Sequence, residues 1–204
     1  MKKIVLTGGP CGGKTTFLDA LEKELGANIV IVPEAATILL SGGFLEPNKD
    51  VTWSENWQTA FEYAVFHLQK SIEDTAVLQA KEKGVSLLVC DRGSLDAAVF
   101  LPGGLDQAQL LLGLDVKSER LRYDAVLHLE SLATADPSGY GSAGNSHRIE
   151  SVDRAQKMER LSQEVWSQHK NYHFIDGKRS IDSKIDQALN LVKEILEELE
   201  SDKE

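Results

Sequence analysis

At 204 residues the chain has room for one domain built around a single sizeable core. Its 42% hydrophobic and 26% charged residues are the balance of a globular protein, which excludes a disordered or collagen-like chain. The formal net charge of −10 argues against nucleic acid or an anionic membrane as partner, so any phosphate must be met by local positive groups.

Lys3 to Thr7 is a short apolar run that reads as a buried strand. Phe17, Leu18, Leu21 and Leu25 recur at helical spacing, and Gly26 supplies a stop. Between them, Gly8-Gly9-Pro10-Cys11-Gly12-Gly13-Lys14-Thr15-Thr16 fits the phosphate-loop pattern of Gly, any four residues, then Gly-Lys-Ser/Thr. Strand, glycine loop and helix are the context the chemistry requires. Glycines let successive N–H groups turn toward one point, and the helix N-terminus adds positive potential. Lys14 is placed to reach the β- and γ-phosphates of ATP, and the Thr15 hydroxyl to complete a Mg²⁺ site.

Asn28 to Val32 is a second strand, ending in Pro33-Glu34, and Ala35 to Leu40 a short helix. Thr52-Trp53-Ser54-Glu55 forms a capping box for a long helix to about Lys83, with Trp57, Phe61, Val65, Leu68 and Ile72 as its apolar stripe. Trp53 and Trp57 either join the core or stack on a bound ring. Val85 to Cys90 is a third buried strand leading into Asp91-Arg92-Gly93. Ser94–Phe100 and Leu105–Leu114 read as helical pieces around a turn at residues 102–104. Asp124 to Leu129 is a fourth strand. Composition then shifts to Ser, Gly and Ala without apolar period, so residues 131–150 read as a flexible lid. Ser151 and Asp153 start a helix faced by Ala155, Met158, Leu161 and Val165, flanked by Trp166. Residues 172–176 form the fifth strand. A final helix buries Ile185, Leu189, Val192, Ile195, Leu196 and Leu199 before an acidic tail. Alternating strands and helices predict a three-layer α/β domain on a five-stranded, mostly parallel sheet, spanning residues 1–204.

Ligands of such sheets collect at the carboxyl ends of the strands, where Lys14, Glu34, Asp91 and Arg92 fall. Asp91 either holds Mg²⁺ with Thr15 or caps the next helix. Glu34 is a candidate base for an acceptor hydroxyl, or orients water, or sits on the surface. Arg92 and Arg148 are candidates to neutralise charge on the γ-phosphate, although Arg92 has Asp91 as an alternative, structural partner. Asp96 either faces an acceptor or caps a helix. Cys11 and Cys90 fit neither a disulfide framework nor a zinc knuckle, which suits a reducing cytoplasm. Lys2-Lys3 precedes too few apolar residues for a signal peptide or membrane span.

Several motifs occur in one order in a known group of P-loop domains. They are the loop, Pro33-Glu34-Ala35-Ala36, Asp91-Arg92-Gly93-Ser94-Leu95-Asp96, Tyr123-Asp124 with His128-Leu129-Glu130, and His147-Arg148-Ile149-Glu150-Ser151. The chain, over roughly residues 3 to 177, resembles the AAA-labelled, nucleoside-kinase-like group that includes bacterial nicotinamide riboside kinase domains. It is also similar to the nucleotide-binding module that some animal proteins join to a triphosphate-tunnel barrel. The resemblance implies a sheet of the nucleoside/nucleotide-kinase type, Arg148 on the lid side, and Asp176-Gly177-Lys178 beside the base. It departs at Cys11-Gly12, where Gly-Ser is commoner, and in the long glycine-rich segment before Arg148.

Three functions compete: a small-molecule kinase using Mg²⁺ and ATP (GTP possible), a nucleotide-hydrolysing switch or sensor, and a non-enzymatic binding module. No Arg lies between Thr16 and Arg92, which favours an uncharged acceptor such as a nucleoside, unless Lys49 substitutes. Against a GTPase, Asn48-Lys49-Asp50 has the wrong spacing for a guanine motif, and Asp136-Pro137-Ser138-Gly139 does not follow a strand end.

Overall fold

A computed structural model describes residues 1–140 and 151–201, with side chains through residue 198. Arg148 and most of its motif therefore lie outside the described residues, as does the Leu199 side chain. Five strands, β1 (Lys2–Thr7), β2 (Ile29–Val32), β3 (Leu87–Asp91), β4 (Ala125–Leu129) and β5 (Tyr172–Ile175), form one sheet. The order is β2-β3-β1-β4-β5 and every pair is parallel. With crossover connections throughout, β1, β3 and β4 are largely buried on both faces, which is why they read as apolar runs rather than alternating ones, while the edge strand β5 leaves Phe174 exposed.

Alternate residues divide the core in two. Ile4, Leu6, Val89 and Leu127 face α1 (Lys14–Leu25) and α9 (Ile181–Ser201), which contribute Phe17, Leu21, Ile185 and Leu189. Val5, Val32, Cys90 and Val126 face the other layer. That layer holds α3 (Glu55–Lys83), α4 (Ala97–Phe100), α5 (Gly104–Leu112) and α8 (Val152–Trp166). Three layers result, as the alternation of elements predicts. Among the described residues no helix is long and apolar enough to cross a membrane.

The long helix begins two residues later than the expected capping box implies: Ser54 rather than Thr52 is the N-cap, its Oγ accepting the Trp57 N–H at 3.2 Å, and the helix ends at Gly84 in the left-handed region. Its buried face differs from the predicted stripe. Only Phe61 of that stripe is fully buried, and the buried face carries Gln58, Glu62, Gln69 and Glu73 beside Phe66, Ala76 and Ala80. Tertiary partners explain it: Glu73 accepts Lys3 Nζ at 2.8 Å, Arg122 Nη2 at 2.9 Å and the Tyr123 hydroxyl at 2.7 Å. A buried carboxylate is tolerated when it is paired in this way. Two short helices were not expected, α6 (Val116–Arg120) and α7 (Leu132–Ala135). The second opens the segment read as a lid. Ser131, fully buried, caps it by accepting the Ala133 N–H at 3.2 Å, and residues 132–135 are folded against α8 rather than free.

Candidate functional site

The phosphate loop leaves β1 after Thr7 and folds around the end of β4. Gly8 sits at φ +123°, and a Cβ there would lie 2.2 Å from the Leu129 carbonyl oxygen; at Gly12 the same oxygen would be 2.6 Å away. Neither position tolerates a side chain. Cys11 adopts φ 55°, a conformation that glycine reaches more easily, which explains why Gly is commoner at this point and leaves the presence of Cys without a backbone reason.

Every carbonyl of the loop from Gly8 to Gly13 has a donor. Lys14 Nζ donates to Gly8 O and Gly9 O, each at 2.9 Å, and Ser131 Oγ donates to Pro10 O at 2.5 Å. The Leu132 N–H reaches Cys11 O at 3.4 Å, Lys184 Nζ reaches Gly12 O at 2.6 Å, and the Phe17 N–H reaches Gly13 O at 2.9 Å. The carbonyls are thus held by the protein, and the first-turn N–H groups of α1, which have no intrahelical acceptor, remain for an anion. No acidic residue sits in that first turn to oppose one.

Two clamps come from residues that the sequence did not point to, on helices that it did. Glu159 on α8 accepts the Gly9 N–H at 2.7 Å and the Ser131 N–H at 3.2 Å, while its other oxygen receives His128 Nε2 at 2.6 Å. Burial would raise its pKa, but the His128 hydrogen bond and charge outweigh that and hold it below the usual range. Lys184 on α9 donates to both Gly12 O and Glu130 O at 2.6 Å, and burial lowers its pKa to about 8. Each lies within a mixed polar-apolar helix face, where only the tertiary fold shows which polar residue is turned inward.

The carboxylates gather on the β2–β3 side. Register pairs Leu6 of β1 with Asp91 of β3, so no strand separates the loop from Asp91. Asp91 has no hydrogen-bond partner among the described residues and does not cap the turn that follows, where Gly93 holds the N-cap position. Burial, reinforced by the Glu34 charge, raises its pKa to about 6 against the opposing effect of Arg92 and Lys14. The half-buried Asp91 carboxylate, which has no side-chain partner among the described residues, and the Thr15 hydroxyl at the start of α1 are hard oxygen donors of the kind that fit Mg²⁺. No cluster of three or more His, Cys, Asp or Glu occurs among the described residues, so water and phosphate oxygens would complete the coordination.

Arg92 does not pair with Asp91. It sits at φ 71°, donates Nε to Glu34 Oε1 at 2.8 Å and Nη1 to Asp96 Oδ1 at 3.1 Å, and lies over the Phe100 ring. Burial opposes the Glu34 charge, but Arg92 and hydrogen bonds from Thr37 and Arg92 keep Glu34 ionised below its usual range. Asp96 resolves as a structural hub, 2% exposed, accepting Thr7 Oγ1 and Arg92 on one oxygen and the Gly93 N–H and Trp166 Nε1 on the other. Its lone pairs are engaged, which removes it as an acceptor-facing base.

Two clefts flank the loop. One, of about 370 Å³, is lined by Cys11 to Thr16 with Glu130, Gly177, Arg179 and Lys184. Of the residues expected beside the base, Gly177 lines this cleft and donates its N–H to Glu130 Oε2 at 2.8 Å. Asp176 accepts the Lys178 N–H at 2.7 Å in a local turn, and Lys178 is exposed. The other cleft, of about 500 Å³, is walled by Glu34, Arg92, Trp57, Phe61 and Phe100, with Gln58 and Glu62 of α3 and Arg154 of α8. Trp57 stacks on Phe61 with centroids 4.9 Å apart, so it forms the wall, while Trp53 stays 42% exposed at the rim. Lys49 is exposed and bonded to Glu46.

Residues 3–184 match the family model described as AAA domain. No curated protein matches the chain.

Proposed function

The chain belongs to the AAA domain family of P-loop nucleotide-binding proteins, and from that premise we propose that it is a Mg²⁺-dependent kinase. It would pass the γ-phosphate of ATP to a hydroxyl of a small uncharged acceptor, such as a nucleoside. One observation carries this reading: a second, aromatic-walled cleft lies on the carboxylate side of the loop, with Glu34 and Arg92 in its wall. A protein that only hydrolyses nucleotide needs room for one water there, not for a ring.

Lys14 and the α1 N-terminus hold the triphosphate, and Thr15 and Asp91 hold the metal, which when bound offsets charge on the phosphates. Glu34, ionised and oriented by Thr37 and Arg92, takes the proton from the acceptor hydroxyl. Arg92 offsets Glu34 and Asp96, so an anionic phosphate can approach a wall that would otherwise repel it. Among the described residues the cleft offers no cluster of free cations: Arg92 is engaged by two carboxylates, and Arg154 lines it together with Glu34, Glu46 and Asp96. That favours an acceptor without a phosphate. Neither Cys11 nor Cys90 is in a disulfide, which suits a reducing cytoplasm.

Labelled ATP incubated with a panel of ribonucleosides tests the reading. Label transfer that requires an acceptor supports it; an equal rate of phosphate release with and without acceptor replaces the kinase by a hydrolase.

A further inference from the structure

Gln58 and Glu62 lie one turn apart on α3, 8% and 3% exposed, and both line the cleft assigned above to the acceptor. Gln58 Oε1 accepts Trp53 Nε1 at 3.1 Å, and Gln58 Nε2 donates to Glu62 Oε1 at 2.7 Å. Glu62 Oε2 has no hydrogen-bond partner among the described residues, yet it is not among the polar atoms sealed from solvent, so its open side is the cleft. Among the described residues no cation pairs with Glu62. The guanidinium whose charge reaches it, Arg92, already holds Glu34 and Asp96.

We propose that Glu62 is an uncharged carboxylic acid that donates its O–H into the cleft. With Gln58 it selects an uncharged ring bearing a hydrogen-bond-accepting carbonyl or ring nitrogen, lodged between the Trp57–Phe61 stack and Phe100. This rests on the reading of the cleft as the acceptor site. Burial raises the Glu62 pKa to about 8, with the Gln58 hydrogen bond and Arg92 opposing and the Glu34 and Asp96 charges reinforcing. At neutral pH the side chain is therefore a donor, and above pH 8 it becomes a carboxylate that repels a carbonyl oxygen. Glu46 and Arg154 are the remaining charged groups lining the cleft.

Quenching of Trp53 and Trp57 fluorescence by adenosine and by cytidine, neither of which titrates between about pH 6.5 and 9.5, tests this. Wild-type binding should weaken about tenfold as pH rises through 8, the loss of one hydrogen bond to a buried group. Glu62→Gln should bind without that pH dependence, and Glu62→Leu weakly at every pH, with thermal melts reporting that both fold. If Glu62→Gln loses as much as Glu62→Leu, or if an N-alkylpyridinium binds better than either nucleoside, Glu62 acts as a carboxylate for a cation and the proposal fails. Absence of quenching by both nucleosides also overturns it. Quenching with the expected pH pattern but no phosphate transfer would refute the kinase and leave the recognition edge standing. Transfer that is indifferent to Glu62 would do the reverse.

Discussion

Replacing Glu159 separates the loop clamp from ordinary packing. Glu159→Ala leaves the buried Gly9 N–H, Ser131 N–H and His128 Nε2 without acceptors. Each stranded donor costs about 1–3 kcal/mol, and water entering the vacated space recovers part, so a net loss of about 3–5 kcal/mol is expected. Glu159→Gln keeps one oxygen for the two loop amides but turns an NH₂ toward His128. The imidazole must then offer a bare Nε2 and place its proton on Nδ1, which is buried with no partner. That should cost about 1–2 kcal/mol. The Glu159 pKa is depressed in the fold, so its stabilisation is fully present above the ordinary carboxylate range and is lost as pH falls through the lower folded value. Urea unfolding between neutral and acid pH should show an acid limb in the wild type that is blunted in Glu159→Gln. Calorimetry with Mg-ATP should show affinity falling about tenfold in the Gln variant, since the Gly9 end of the loop is no longer held by a charge-assisted bond. An alanine variant with wild-type stability and nucleotide affinity would refute the clamp.

Two further outcomes follow from the same site. Lys14→Ala should abolish Mg-nucleotide binding while leaving the domain folded, because water can take over the Nζ bonds to Gly8 O and Gly9 O once the side chain is gone; calorimetry paired with a thermal melt checks both halves, and unchanged binding would refute the loop assignment. The folded pKa of Asp91 is raised to about 6, so stability present below its unfolded pKa declines as pH rises to 6, and Asp91→Asn should gain about 1–2 kcal/mol at neutral pH while losing Mg²⁺-dependent nucleotide binding. An Asn variant that is destabilised instead would mean that Asp91 serves the fold.

The loop, the five strands and the two faces of the sheet were legible because each is a local pattern: glycines where backbones meet, and apolar runs of strand length. Glu34, Asp91 and Arg92 were legible because they follow strands, and the parallel sheet brings strand ends together. Their pairing was not. Arg92 joins Glu34 and Asp96 instead of Asp91 because its left-handed backbone turns the side chain across β2, a choice made by φ rather than by sequence adjacency. On α3, periodicity identified the helix but not its inward face. Trp57, Val65 and Leu68 are as apolar as a core stripe and are only half buried, while Gln58 goes inside to meet Trp53, Gln69 to meet the Arg92 carbonyl, and Glu73 to meet Lys3 and Arg122. The partners of Gln69 and Glu73 lie more than 20 residues away and leave no mark on a helical period.

The same limitation conceals how much α8 does. Its apolar positions predict a helix packed on the sheet, and Met158 and Val165 do enter that core. One face of it also carries Arg154 and Met158 into the acceptor-side cleft, Glu159 onto the Gly9 amide, Ser162 Oγ to Thr7 Oγ1 at 3.0 Å, and Trp166 Nε1 to Asp96 at 3.1 Å. Asp96 in turn fixes Arg92, and Arg92 fixes Glu34. A single rigid element therefore sets the position of the loop and of Glu34 across from it. Under the kinase reading proposed above, the separation between phosphate and acceptor hydroxyl would be held by α8 rather than by either cleft alone. Because in-line transfer tolerates little misplacement, a substitution at Trp166, distant from both ligands, should lower turnover by shifting Asp96 and Arg92 while leaving nucleotide affinity at the loop nearly unchanged.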